Sequence, residues 1–236
     1  GVRKTRYAYR ADGRVDYSGR EGGVERDSFA YGSTWTDVTN ALGYTTRYNF
    51  TTMGGIKRLS SVSMPASLAC ASGVASTTYG ANGYVSKEVD FEGYQTLYTW
   101  NNRGQLQEKR TGVGPAPGNS SADQQRTTYG WDVTRNLLTR ESHYGSSGSI
   151  QSETLYTYHP DSPSTHARLL QKVETCAPDC ASGNKRTTTY SYVIRANRMI
   201  QTVTVDGPLA GTGDSVTYQY DAAGNLVSAT NGLGHA

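Results

Sequence analysis

The segment Thr217-Tyr-Gln-Tyr220-Asp221-Ala-Ala-Gly224-Asn225-Leu226 contains the pattern on which the fold prediction depends. An aromatic residue, Tyr220, is followed by glycine four positions later and by an aliphatic residue, Leu226, six positions later. Asp221 can accept a hydrogen bond from the backbone two residues on, and Gly224 can adopt the positive φ of a tight reversal with a bulge. The segment therefore predicts a strand, a tight turn and a return strand.

The same spacing of aromatic, glycine and aliphatic residues recurs along the chain. It is found at Tyr9, Gly13 and Val15, at Phe50, Gly54 and Ile56, at Tyr79, Gly83 and Val85, and at Trp100, Gly104 and Leu106. Less exact copies are anchored at Trp131, Tyr158 and Tyr192, where Asn136 or Asn197 is expected to take the left-handed position. Such anchors predict about sixteen short strands, more than a flat open sheet usually carries without curling.

A second half-motif precedes two of the anchors. The segments Asn40 to Phe50 and Asp90 to Trp100 align without a gap, and in both a glycine turn, at Gly43 or Gly93, leads into a T-x-Y-x-aromatic strand. Alternate aromatic residues of such a strand share one face. The sequence thus predicts an all-β fold, an array of short antiparallel β-hairpins in a curved sheet.

Composition agrees with this fold and excludes several others. The chain has 18 Tyr and 27 Gly among 236 residues, a mixture suited to half-buried strands and tight turns. Its 23 basic and 20 acidic residues leave a net charge of only +3, and the basic residues are dispersed, so we predict no nucleic-acid site. No run of apolar residues is long enough for a membrane span.

Three cysteines leave two interpretations open. Cys176 and Cys180 are close enough for a small loop disulfide or for two free thiols, and Cys70 is left over. A C-x-x-x-C pair without a neighbouring histidine is poor zinc spacing, so we expect no metal and no cofactor.

The repeated unit resembles that of RHS/YD-repeat proteins. The Tyr220-Asp221-Ala-Ala-Gly224-Asn225-Leu226 run and the two-part units ending at Phe50 and Trp100 carry the resemblance, although the Tyr-Asp pair is intact only at Tyr220-Asp221. The resemblance implies a β-sheet ribbon that spirals into a hollow shell, which in bacterial toxins encloses a C-terminal toxic domain. The D-P-x-G-L type sequence of the family's autoprotease is not found in this chain, so neither protease nor toxin activity is expected here.

We therefore interpret residues 1–236 as one RHS/YD-repeat segment, incomplete at both ends and without enzymatic activity. Its expected partners are the remaining repeats of the parent chain and an enclosed C-terminal polypeptide cargo, and its expected location is secreted or cell-surface in a bacterium. The residues expected to build the repeat are Tyr9, Gly13, Gly43, Phe50, Gly54, Tyr79, Gly83, Gly93, Trp100, Gly104, Trp131, Tyr192, Tyr220, Asp221, Gly224 and Leu226.

Two other functions remain as alternatives. Trp35 lies outside the repeat anchors and is the candidate ligand-binding residue of a cell-surface module that binds glycans or proteins, because exposed aromatic rings stack on sugars. A hydrolase acting through His143 or through loop carboxylates would need a pocket with converging side chains, and His143 would need an acid or a nucleophile within hydrogen-bond reach.

Overall fold

The computed structural model describes residues 5–66, 71–114, 124–160, 162, 169–181 and 184–235, so that Cys70 lies outside the described residues. The described residues form eighteen strands and one short 3-10 helix, Glu21–Gly23. In chain order the strands are β1 (Thr5–Tyr9), β2 (Val15–Arg20), β3 (Asp27–Tyr31), β4 (Trp35–Thr39), β5 (Thr45–Met53), β6 (Ile56–Met64), β7 (Gly73–Tyr79), β8 (Val85–Val89), β9 (Gln95–Trp100), β10 (Leu106–Val113), β11 (Gln125–Asp132), β12 (Leu137–Tyr144), β13 (Ile150–Tyr158), β14 (Leu170–Ala177), β15 (Asn184–Ile194), β16 (Ile200–Asp206), β17 (Val216–Tyr220) and β18 (Leu226–Asn231). The predicted all-β class is confirmed.

The chain divides into two compact units. One comprises Gly1–Thr99 and Thr111–Ser121, and the other Trp100–Arg110 and Ala122–Ala236. In the first unit β1 to β9 pair in chain order, each strand antiparallel to the next. In the second unit β11 to β18 pair in the same way, which confirms the predicted array of antiparallel hairpins.

Two edges of each unit can be told apart. Each odd-numbered strand runs toward a hairpin turn and the following even-numbered strand returns from it. These edges are the two sides of the sheet at which strands end, not its outermost strands. We call the side at which the odd-numbered strands end the turn edge. The opposite side, where one hairpin leads to the next, is the connection edge.

One five-residue turn recurs at both edges. The amide of its first residue donates to the carbonyl of the fifth, and the amide of the fourth donates to the carbonyl of the first. The fourth residue has a positive φ and is glycine in every case but one, Arg198. Among the described residues the turns begin at Arg10, Asn40, Gly80, Asp90, Asn101, Gly145, Arg195, Asp221 and Asn231. The spacing from aromatic anchor to glycine is thus the spacing of this turn. In the Asp221 hairpin the register shifts between Gln219 and Tyr220, just before the turn, which marks a bulge.

The described residues contain one hairpin more than the anchors predicted. It consists of β3 and β4, joined through Gly32, whose amide donates to the carbonyl of Trp35. Tyr31 ends β3 and occupies the anchor position. It lies in the longest interval between predicted anchors, from Tyr9 to Phe50, and was missed because its turn is too short for a glycine four positions later.

Three turns differ in detail from the predicted template. At Phe50 the strands continue to the pair Met53 and Ile56, and Gly54 and Gly55, with φ of 57° and 78°, form a two-residue turn. Asn136 does take the left-handed position, with φ 59°. The same prediction for Asn197 is wrong.

The turn after β15 shows why Asn197 does not take the left-handed position. Arg198 takes that position instead, with φ 64°, while the Asn197 side chain accepts a hydrogen bond from the amide of Met199. This register places Ile194, rather than Tyr192, at the end of β15.

The second unit has two chemically different faces. Cross-strand partners on one face include Tyr156 with Val173, Tyr190 with Val205 and Val203 with Tyr218. Directly opposed residues on the other face include Ser142 with Glu153, Glu153 with Cys176, Cys176 with Lys185, and Thr204 with Thr217. Successive side chains of a strand point to opposite faces of the sheet, so the two sets of residues lie on opposite faces.

Few side chains are fully buried. Among the described residues the buried hydrophobic ones are Leu137, Cys176 and Cys180, and most strand side chains are half-buried. The described residues therefore form a thin sheet that derives its stability from backbone pairing and half-covered aromatic rings rather than from a deep core.

Candidate functional site

Backbone pairing between successive hairpins stops before it reaches the turn edge. Between β6 and β7 the last pair on that side is Ser61 with Ser76, and between β12 and β13 it is Arg140 with Leu155. Within a hairpin the ladder continues to the turn, as at Tyr79 and Val85. The carbonyl groups beyond the last inter-hairpin pair need other donors, because unpaired backbone groups are costly when shielded from water.

Aromatic side chains supply some of these donors. We call them aromatic locks: each lies at or next to the end of an odd-numbered strand and donates to a carbonyl near the start of the preceding even-numbered strand. The locks are Tyr31 Oη to Val15 at 2.9 Å, Tyr79 Oη to Leu59 at 2.8 Å, Trp131 Nε1 to Leu106 at 2.7 Å and Tyr158 Oη to Leu138 at 2.8 Å. Each lock therefore joins one hairpin to the one before it.

The chemistry of the locks requires a protonated donor. Burial raises the pKa of the Tyr158 hydroxyl, a rise that the charge of Arg135 partly opposes. The hydroxyl keeps its proton and remains a donor through the physiological range, as an indole N–H does at any pH.

Cationic side chains form a second set of links along the turn edge, which we call cationic bridges. Each donates to a backbone carbonyl in or beside the turn of a neighbouring hairpin. The bridges are Lys57 Nζ to Ser33, Arg58 Nη1 to Gly83, Arg103 Nη1 to Val133, Arg195 Nη2 to Tyr220 and Arg198 Nη1 to Ser162. A charged donor makes a stronger hydrogen bond than a neutral one.

The predicted repeat residues take defined places in this arrangement. Tyr9, Tyr79, Trp100 and Tyr220 end their strands, Trp131 is one residue from the end of its strand, and Leu226 begins a return strand. The fourth turn position is occupied by Gly13, Gly43, Gly83, Gly93, Gly104 and Gly224. Predicted anchors that form locks include Tyr79, Trp131 and Tyr158.

The sequence prediction missed other members of the site. Tyr31 could have been found from the alternating Phe29-Ala-Tyr31 run. The bridging cations share no common distance from the anchors, so no sequence signal identified them.

Asp221 organises its turn through three hydrogen bonds. Its Oδ1 accepts the amides of Ala223 at 2.8 Å and Asn225 at 2.9 Å, and its Oδ2 accepts Asn225 Nδ2 at 3.0 Å. These bonds, first that from the Asn225 side chain, hold the pKa of the Asp221 carboxyl below its usual value. Asn101 accepts the corresponding amides, from Arg103 and Gln105, without a charge. The Asp-turn geometry thus recurs with either side chain.

Trp35 lies on the same face of the first unit as Asp37 and Arg47. The Arg47 guanidinium stacks over its ring at 4.4 Å and donates two hydrogen bonds of 2.7 Å to Asp37. Those bonds lower the pKa of the Asp37 carboxyl. One face of the ring is therefore covered by a cation, and a ligand role for Trp35 stays a prediction.

His143 has both an acid and a hydroxyl within reach. Its Nε2 is 3.3 Å from Glu141 Oε1 and its Nδ1 is 3.2 Å from Thr127 Oγ1. Thr127 and His143 are direct partners in the ladder of β11 and β12, and the His143 side chain is 47% exposed. A tetrahedral intermediate needs converging backbone donors, whereas amides inside a ladder are engaged with the neighbouring strand. The distances alone do not define a hydrolytic site.

Cys176 and Cys180 form a disulfide. Of the two interpretations left open by the sequence, the loop disulfide is therefore the one observed. In the described ranges no group of three or more His, Cys, Asp or Glu side chains is arranged to hold a metal ion. A search of the same ranges finds no helix with the length and hydropathy needed to cross a membrane.

Comparisons with known proteins agree with the repeat. The family model described as RHS Repeat matches residues 210–236, which include Tyr220 and Asp221. The resemblance to RHS/YD-repeat proteins inferred from the sequence is thereby confirmed over these residues. No curated protein has a matching sequence.

Two solved structures show the same fold over nearly the whole chain. The crystal structure of TcdB2-TccC3-TEV has a TM-score of 0.52 and 15% identity, and that of TcdB2-TccC3 without hypervariable C-terminal region has a TM-score of 0.54 and 14% identity. Each match covers 97% of this chain and 12% of the other. At this identity the likeness concerns the fold, and the chain spans about an eighth of the length of those proteins.

Proposed function

We propose that this chain is a non-enzymatic wall segment of an RHS-repeat shell, and that the parent protein encloses a C-terminal polypeptide cargo. The observation that carries the proposal is the succession of aromatic locks and cationic bridges along the turn edge. They tie hairpins together where the backbone ladder stops, which is what a thin wall needs in order to stay closed.

The way in which the hairpins stabilise one another supports a wall rather than a catalytic domain. With few buried hydrophobic side chains, each hairpin depends on its neighbours, so stability is close to a sum of repeat and neighbour terms. The terminal strands of such an array have unpaired edges, and the remaining repeats of the parent chain are their proposed partners. Residues 1–236 are in this proposal one incomplete stretch of the array.

The comparisons and the disulfide add support. TcdB2-TccC3 has a hypervariable C-terminal region in addition to the fold shared with this chain, which is the arrangement that we propose for the parent protein. A disulfide is typical of proteins in oxidising compartments, in agreement with export from a bacterial cell.

The proposal can be tested by limited proteolysis of the intact parent protein. We expect its C-terminal region to resist protease in the folded state and to be cleaved in a Trp131→Phe, Tyr158→Phe double variant, in which two locks are removed. Tyr218→Phe is the matched control, since its hydroxyl has no lock partner among the described residues. Equally rapid cleavage of the C-terminal region in the folded parent protein and in the separate C-terminal fragment would overturn encapsulation.

A further inference from the structure

A buried carboxylate lies on the polar face of the second unit. Glu153 is only 3% exposed, and the neighbouring Ser142 is fully buried. The Glu153 Oε1 atom accepts hydrogen bonds from Ser142 Oγ at 2.9 Å and Arg140 Nε at 2.6 Å. Its Oε2 atom accepts the backbone amide of Cys180 at 3.0 Å. A buried charge of this kind persists only while its donors remain in place.

The third donor comes from the disulfide loop. Cys176 is the direct ladder partner of Glu153, and Cys180 follows four residues later. Closing the disulfide turns the chain back at the connection edge and brings the Cys180 amide over β13. Both cysteines are buried, with exposures of 2% and 7%, whereas Ala177 and Pro178 between them are exposed. The loop therefore covers Glu153 with its inner side and faces solvent with its outer side.

This loop differs from the other short connections at the same edge. The connections at 40–44, 90–94 and 145–149 are the five-residue glycine turn, which closes through its own backbone hydrogen bonds. The described part of the loop after β14 is instead closed by a covalent bond. Within it the Ala181 amide donates to Asp179 Oδ1, a contact that does not reach β13.

We propose that the Cys176–Cys180 disulfide is a redox-sensitive clamp, which holds the Cys180 amide on Glu153 when oxidised and releases it when a dithiol reduces the bond. The dithiol supplies two electrons and two protons, the sulfur–sulfur bond breaks, both cysteines become thiols, and the dithiol becomes a disulfide. The freed loop withdraws its amide, water reaches Glu153, and the pairing of β13 with β12 and β14 loosens at the connection edge. This inference does not depend on the proposed shell function.

The electrostatics of Glu153 agree with this assignment. Burial raises the pKa of its carboxyl, but the hydrogen bonds from the Cys180 amide, Ser142 and Arg140 outweigh burial and leave the pKa below its usual value. The loop amide is thus one of the groups that keep the carboxylate ionised. Its loss leaves a buried anion short of a donor, which is more costly than the loss of an exposed hydrogen bond.

Amide hydrogen exchange of the native chain, with and without dithiothreitol, tests the clamp. We expect reduction to speed exchange of the Cys180 amide about tenfold or more, the range of local opening. The Gly93 amide, which lies in a connection-edge turn of the first unit and donates to the Asp90 carbonyl, should be unchanged. A disulfide that dithiothreitol leaves intact in the folded chain would overturn the proposal. An unchanged Cys180 amide after reduction would do so too, and so would an equal rise at Gly93, which means general unfolding.

Two variants test whether the disulfide acts through Glu153 or only restricts the conformations of the loop. The Cys176→Ser, Cys180→Ser double variant should show the exchange of the reduced chain and no response to dithiothreitol. In Glu153→Gln the acceptor is no longer an anion, so reduction should change the exchange of the Cys180 amide less than in the native sequence. An equal change in both backgrounds would mean that the disulfide acts independently of Glu153 and would contradict the clamp.

Discussion

The indole Nε1–H of Trp131 donates a hydrogen bond of 2.7 Å to the carbonyl oxygen of Leu106, the first residue of β10. Leu106 stands six positions after the anchor Trp100. The aromatic residue of one sequence repeat is therefore hydrogen-bonded to the aliphatic position of the repeat before it. Tyr31 and Val15 are related in the same way, since Val15 stands six positions after Tyr9. In these two locks the spacing within a repeat also sets where the next repeat attaches. The other two acceptors, Leu59 and Leu138, lie nine and seven positions after the preceding anchor.

The first prediction concerns the lock formed by Tyr158. Tyr158→Phe removes only the hydroxyl and leaves the Leu138 carbonyl without this donor, so we expect the free energy of unfolding to fall by about 1 kcal/mol. Urea denaturation followed by circular dichroism measures this change.

Tyr218→Phe is the control for this lock, because Tyr218 lies on the same aromatic face without a lock partner among the described residues. It should change the free energy of unfolding by less than half as much. Equal losses in the two variants would mean that the hydroxyl of Tyr158 contributes nothing specific.

The second prediction concerns the left-handed turn position. Gly148 has φ 80°, and a Cβ added there would contact nothing within 4 Å, so Gly148→Ala tests backbone conformation alone. We expect a loss of about 1 kcal/mol, the usual cost of a non-glycine residue in this region. Thermal unfolding measures it. Gly213→Ala, at a position with equal space but without positive φ, should cost much less; a cost as large as that of Gly148→Ala would contradict the turn argument.

Local chemistry explains how much of this structure the sequence could predict. The turns follow from Gly224 and its equivalents, because a tight reversal is decided by a few neighbouring residues. The sequence did not predict the hairpin at Tyr31, and it placed the turn after Phe50 in the wrong register. In both hairpins a turn shorter than the five-residue one also allows the two strands to pair. The bridge from Arg58 to Gly83 and the contact of Glu153 with the Cys180 amide were beyond prediction, since each depends on which strands become neighbours.

The third prediction is a pH dependence at Asp221. Its carboxyl pKa is lower in the folded protein than the ordinary value of 3.8, so its contribution to stability is fully present above that value. The contribution is lost as the pH falls through the lower, folded-state pKa. The stability advantage of the native chain over Asp221→Asn should therefore shrink as the pH falls from about 5 through 3.8 and below. Thermal midpoints across this range measure it.

Asn101→Asp provides the reverse test in a turn whose first side chain accepts the same two backbone amide hydrogen bonds. It should introduce an acid-sensitive contribution where the native chain has none from this side chain. A difference between the native chain and Asp221→Asn that stays constant with pH would show that the turn amides do not favour the charged carboxylate.

The fourth prediction decides between the wall and a surface-binding module. Because Arg47 already covers one face of the Trp35 ring, we expect binding on a glycan array to remain at background in the native chain and in Trp35→Ala. Trp35→Ala should instead lower the free energy of unfolding by roughly 1 to 2 kcal/mol, through loss of the cation–π contact and of packing. Arg47→Met, which removes the cation but keeps the ring, should lose part of the same stability. Glycan binding by the native chain that disappears in a folded Trp35→Ala variant would instead identify Trp35 as a ligand-binding residue.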